Sequence, residues 1–156
     1  MQRRLNTTRY LWVGLIASIF PDLDLLYFYF IDQRRTLHHE YWMHLPLFWL
    51  SVWIAALIVF VTVKNKNIFL VSTIFIANIF LHLILDTFAA GIPWLYPFSH
   101  TSFVLIQVPS RYPFWIENFV FHWSFLVELA IVLWAVIVWL KDRKKTIALK
   151  TLEDRA

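Results

Sequence analysis

Four stretches of the chain are apolar with almost no interruption, and short polar or aromatic segments separate them. They cover residues 10–31, 45–63, 68–90 and 119–140. Each is long enough to supply the roughly 20 residues that an α-helix needs to cross the hydrocarbon of a bilayer. The second stretch carries no charge at all. The first is interrupted by Pro21, Asp22 and Asp24, and proline predicts a kink or break there because it removes a backbone donor. Such breaks persist in membranes where neighbouring protein satisfies the freed carbonyl. The first stretch also lacks a small-residue cleavage site where a signal peptide would need one. The pattern therefore predicts an all-α integral membrane protein of about four transmembrane helices.

The segment 91–118, between the third and fourth stretches, breaks the pattern. Pro93, Pro97, Pro109 and Pro113 forbid one continuous helix. Yet Trp94, Leu95, Tyr96, Phe98, Phe114 and Trp115 are too apolar for a solvated loop. The expectation is an outer-face cap or re-entrant segment at the membrane interface, where aromatic rings are favoured. Residues 1–140 are expected to form one transmembrane domain and 141–156 a basic cytoplasmic tail.

Composition agrees with the pattern: 60% of the 156 residues are apolar and 15% charged, against about 25% charged in soluble domains. A soluble fold this short could not bury so much apolar surface. The net charge of +4 raises a nucleic-acid reading. The basic residues lie at the ends of the apolar runs, however, so topology accounts for them and no nucleic-acid partner is expected. With a cytoplasmic N-terminus, Arg3, Arg4, Arg9, Lys64, Lys66, Lys141, Arg143, Lys144, Lys145, Lys150 and Arg155 fall inside. Only Arg34, Arg35 and Arg111 fall outside, so the positive-inside rule predicts both termini in the cytoplasm. The absence of cysteine excludes disulfides and thiolate metal ligands.

Ionisable groups within spans are costly and usually mark a site or pathway. Here they are Asp22, Asp24, His82, Asp86, His122 and Glu128, with His38, His39 and His44 just ahead of the second span. At about 1.5 Å of rise per residue, all fall in the outer half of the membrane. His82 and Asp86 are four apart and share one helix face. Imidazole with carboxylate suits a divalent metal, zinc first and manganese or iron as alternatives. The donors are numerous enough for one ion or two, and a close pair would suit phosphoester hydrolysis. Structural readings stand beside these: Asp22 as a helix cap, His82 with Asp86 as a buried pair tying helices together, His38 as interfacial and His100 as a loop cap. His122 and Glu128 are six apart and do not share a face cleanly.

The motifs and their order resemble one family, the membrane-bound metal-dependent hydrolases typified by the YdjM-like inner-membrane proteins. Pro21-Asp22-Leu23-Asp24 resembles its P-D-[LI]-D element. His39 and His44 reproduce the spacing of its H-R-G-x-T-H-S, with Glu40, Tyr41 and Met43 in place of arginine, glycine and threonine. His82-Leu83-Ile84-Leu85-Asp86 matches H-L-x-L-D, and residues 91–98 are similar to its G-x-x-x-L-x-P-F. The resemblance implies that Asp22, Asp24, His39, His44, His82 and Asp86 form the metal-binding set. It further implies a hydrolase of the bacterial inner membrane. Together with the depth of the polar cluster, this gives the expectation of hydrolysis of a phosphoester or phospholipid-like substrate at the outer face. Glu128 and Glu40 are the candidate general bases. Membrane lipids are the expected partners. The competing class is a non-enzymatic metal-binding or structural membrane protein.

Overall fold

The computed structural model describes residues 7–36 and 38–153. Among them all regular secondary structure is helical, without strands, and the chain forms two compact units, residues 1–107 and 108–156. Among the described residues three helices are long and apolar enough to cross a membrane, or four if the bent pair 9–19 and 21–30 counts as one span.

The first unit begins with α1 (Thr7–Ile19). Pro21 then opens a 3-10 turn (Pro21–Leu23), and α2 (Asp24–Phe30) follows. The two arms meet at 48°, so the helix breaks at Pro21 as expected. Beyond α2 the chain reverses through Gln33 and Arg34, both with positive φ. That left-handed backbone costs roughly 1–2 kcal/mol per non-glycine residue. Asp32 holds the turn: its Oδ2 accepts from the Thr36 amide and from the Tyr41 hydroxyl, each at 2.7 Å. Two further 3-10 turns, His38–Glu40 and Trp42–His44, lead to Pro46, where proline suits the first turn of α3 (Pro46–Val63).

The sequence closes α3 and opens α4 (Lys66–Ala89) within two residues. Lys64 adopts the left-handed conformation and donates its amide to the Phe60 carbonyl. Asn65 then caps α4, its side chain accepting from the amides of Asn67 and Ile68. Helix α4 is the centre of the unit, with α1 and α3 both packed on it. Ile76, Ile79 and Leu83 recur along one face and are buried with Ala17 and Trp49. Phe20, Trp53, Phe75 and Phe80 surround this core. Gly14 permits the close crossing of α1 and α4, since a Cβ there would lie 3.3 Å from the Asn78 amide nitrogen.

Part of the aromatic, proline-rich segment forms the expected cap. Residues 105 and 106 donate their amides to the carbonyls of Thr87 and Phe88, and Trp94 Nε1 donates to Thr87 Oγ1. Two carbonyls of the last turn of α4, which find no amide donors within the helix, are thereby satisfied. Ile92 and Phe103 exchange backbone hydrogen bonds, and Ile92 is fully buried.

In the second unit, Asn118 organises the approach by accepting from the amides of Arg111 and Tyr112 and donating to the Tyr112 carbonyl. The expected fourth span starts later than its hydropathy suggests. A short α5 (Trp115–Val120) ends at Phe121, and α6 (Trp123–Glu153) begins anew. His122 explains the break, since its Nδ1 lies 2.8 Å from Ser124 Oγ and 3.4 Å from the Ser124 amide, in the position of a cap. Helix α6 continues past Lys141, so the basic segment through Glu153 is the end of the same helix. The charges expected at Arg3, Arg4 and Arg155 lie outside the described residues.

Candidate metal centre

The broken first span, the turns ahead of α3 and the end of α4 converge on one cluster of imidazoles and carboxylates. The break at Pro21 delivers two carboxylates to different environments. Asp22 is about half exposed, whereas Asp24, one residue into the new helical segment, is only 4% exposed. The 3-10 turn Trp42–His44 drops His44 into the interior, where it is completely buried. Helix α4 adds His82 and Asp86 from adjacent turns of one face. His39 comes from the preceding 3-10 turn, its ring 4.8 Å from that of His44.

The donor atoms form a closed circuit. Asp22 Oδ1 lies 3.6 Å from His82 Nε2, which lies 3.1 Å from Asp86 Oδ2. Asp86 Oδ2 lies 3.5 Å from His44 Nε2, and His44 Nε2 lies 4.0 Å from Asp22 Oδ1. His39 Nε2 stands 3.9 Å from Asp86 Oδ2. Within this circuit are two overlapping donor groups, Asp22 with His44 and His82, and His39 with His44 and Asp86.

The outward-facing ring nitrogens are already engaged. His44 Nδ1 is 2.6 Å from Asp24 Oδ2, and His82 Nδ1 is 2.7 Å from the Ser18 carbonyl oxygen. A carbonyl can only accept, so Nδ1 of His82 carries a proton, and in the neutral ring Nε2 then presents a lone pair to the cluster. Ser18 precedes the helix break, where regular amide partners run out, and His82 fills that vacancy in the backbone ladder. Sequence reasoning missed this contact because a backbone carbonyl leaves no mark in side-chain patterns.

His82 Nε2 and Asp86 Oδ2 are buried and, despite their 3.1 Å separation, make no hydrogen bond of acceptable geometry. Asp24 Oδ1 is likewise buried without one. Buried polar atoms are rarely left so. Donors on the corners of a tetrahedron around zinc, at bonds of about 2.0–2.1 Å, stand about 3.4 Å apart. The separations along the circuit fall around that value, so the residues of each donor group fit a divalent cation.

The six residues expected in the metal set are all brought together here, with Asp24 behind His44 and outside both donor groups. Other expected residues are placed elsewhere. Glu40 is exposed next to His39 in the chain, and Glu128 lies on α6 in the second unit. His100 is exposed with its ring against Tyr96, and His122 caps α6. The side chain of His38 lies outside the described residues.

Spanning helices, one of them broken, with a buried His/Asp cluster beside the break define an all-α integral membrane protein. Residues 1–149 match the profile of the YdjM inner membrane protein family, and the chain belongs to that family of inner-membrane proteins. Neither a curated protein nor a solved structure matches it.

Proposed function

We propose that this chain is a membrane-embedded, metal-dependent hydrolase with a mononuclear centre held by Asp22, His39, His44, His82 and Asp86. The observation that carries the proposal is the closed circuit of donor atoms at 3.1–4.0 Å, built from three separate segments. One ion is favoured over two because both donor groups share His44 Nε2. An imidazole nitrogen has a single lone pair, and the other ring nitrogen of His44 faces Asp24. Asp24 then orients His44 and strengthens it as a donor, the usual role of a carboxylate behind a metal-binding histidine. Ser18 does the same for His82 through its carbonyl.

The mixed nitrogen and oxygen donors suit zinc, with manganese or iron as alternatives. Such an ion, when bound, polarises a phosphoryl oxygen and makes bound water acidic enough to attack. The chain's own contribution is the open side: Asp22, Asp86 and His39 are partly exposed, whereas His44 is sealed. With both termini in the cytoplasm, as the distribution of lysine and arginine favours, that side faces the outer leaflet. The substrate class is then a phosphoester of lipid type. Glu40, exposed next to His39 in the chain, is the candidate for the base that takes a proton from water.

Metal analysis by mass spectrometry on detergent-purified protein tests the centre. About one divalent ion per chain is expected, lost in folded Asp86→Ala and His44→Ala. Asp24→Asn should keep the stoichiometry but bind about 10–100-fold more weakly. No ion after zinc or manganese addition would overturn the centre. Absence of metal-dependent turnover of lipid phosphates and prenyl pyrophosphates by the loaded protein would overturn the hydrolase. A non-catalytic reading is favoured by one observation, the tie from His82 to the Ser18 carbonyl across the helix break. It predicts that Asp86→Ala destabilises the protein without changing any bound metal.

A further inference from the structure

At the end of α4 opposite the histidine cluster the first unit has a concavity. It is a crevice of about 520 Å³. Helix α4 supplies Val71, Phe75 and Ile76, α3 supplies Val52 and Ala56, and Arg9 stands on α1. Phe75 also packs edge-on against Phe20 and meets Trp49, so an aromatic cluster closes the inner end. The mouth is different in character. Arg9, Asn65 and Asn67 line it, and no carboxylate does so among the described residues. Lys64 and Lys66 flank Asn65 in the sequence. Asn67 and Asp86 are 19 residues apart on one helix, about 28 Å, which separates this crevice from the histidine cluster.

An apolar interior with a cationic rim, between helices that face hydrocarbon, matches an amphiphile with an anionic head. Basic pockets between spans take acidic phospholipids for this reason. A packed transmembrane helix would satisfy the apolar walls but offer nothing to Arg9. We propose that the crevice binds one anionic phospholipid, with an acyl chain against Val52, Ala56, Val71 and Phe75 and the phosphate at Arg9. Arg9 is exposed at the rim, where a guanidinium offers paired donors to two phosphate oxygens. The inference is independent of the metal centre.

Native mass spectrometry of the full chain released from detergent tests it, with phosphatidylglycerol and phosphatidylethanolamine of identical acyl chains. One phosphatidylglycerol per chain should be retained in preference to phosphatidylethanolamine. Arg9→Gln should reduce that retention about fivefold, the effect of one basic side chain near an anionic lipid. Ala56→Trp fills the crevice and should abolish retention, whereas Val61→Trp, at a position 68% exposed on the same helix, should leave it intact. Equal retention of the two lipids, or Arg9→Gln behaving as wild type, would overturn the proposal. So would competition by glycerol phosphate as effective as that of the intact lipid, which would mark a plain anion site. Retention unchanged in folded Ala56→Trp, or a crevice filled by a second copy or by the C-terminal unit in cross-linking, would do the same. Arg9→Gln alters an exposed side chain, so it decides the matter even if Ala56→Trp does not fold.

Discussion

Tyr41 and Asp32 lie in the loop that carries the histidines into place. The Tyr41 hydroxyl donates to Asp32 Oδ2 at 2.7 Å, and this bond, with the amide of Thr36, holds the Asp32 carboxyl below its ordinary range. Tyr41 is pushed up to about 12, by burial first and by the neighbouring carboxylate second. The signs fix a window. Asp32 has a depressed folded pKa, so its contribution is present above its unfolded value near 4 and fades as pH falls through the folded one. Tyr41 has a raised one, so its contribution is whole below about pH 10 and is lost as pH climbs through about 12. Tyr41→Phe should move the Asp32 titration upward toward the ordinary value, but not fully, since Thr36 still donates. Carbon-13 NMR of labelled aspartate in detergent would follow this, and an unmoved titration would remove Tyr41 as the cause. Asp22 and Asp24 face different partners. They stand two apart in Pro21-Asp22-Leu23-Asp24, yet one is half exposed beside His82 and the other is buried against His44. Residues two apart on a helical backbone point about 200° from each other, and the break between α1 and α2 turns each carboxylate to a different histidine.

Among the elements, α1 and α4 make the contact on which the cluster depends. Gly14 sets their distance, and Ser18, one turn further along α1, reaches His82 on α4. Gly14→Leu should push the helices apart and cost about 1–3 kcal/mol, the range for overpacking. It should be read from SDS-induced unfolding in mixed micelles, and unchanged stability would mean that the crossing is not tight. The elements were largely legible in the sequence. Pro21 foretold the break, and apolar runs located α3, α4 and most of α6. The stop between α5 and α6 was hidden, because residues 119–140 are almost uniformly apolar and hydropathy cannot register a backbone turn. The participation of His39, His44, His82 and Asp86 was foreshadowed by spacing and depth. Their mutual distances and the Ser18 carbonyl required the fold.

At the scale of the whole molecule, orientation decides which leaflet the cluster serves. The chain has no cysteine, so single-cysteine reporters need no background removed. With both termini cytoplasmic, Ser99→Cys should react with an impermeant maleimide on intact cells. Thr151→Cys should react only after permeabilisation, and the reverse pattern would place the cluster on the inner side. Helices α3 and α4 are joined by only Lys64 and Asn65, so they form a hairpin whose closed end is far from every donor. His44 lies just before the hairpin's first arm, and His82 and Asp86 lie near the end of its second. During synthesis, His44 emerges some forty residues ahead of the partners on α4. The donors cannot meet until both arms have been inserted and drawn side by side. A closed cluster is therefore a certificate that the hairpin is in place: a chain stalled halfway through it holds Asp22, Asp24 and His44 but lacks the two groups that close the ring.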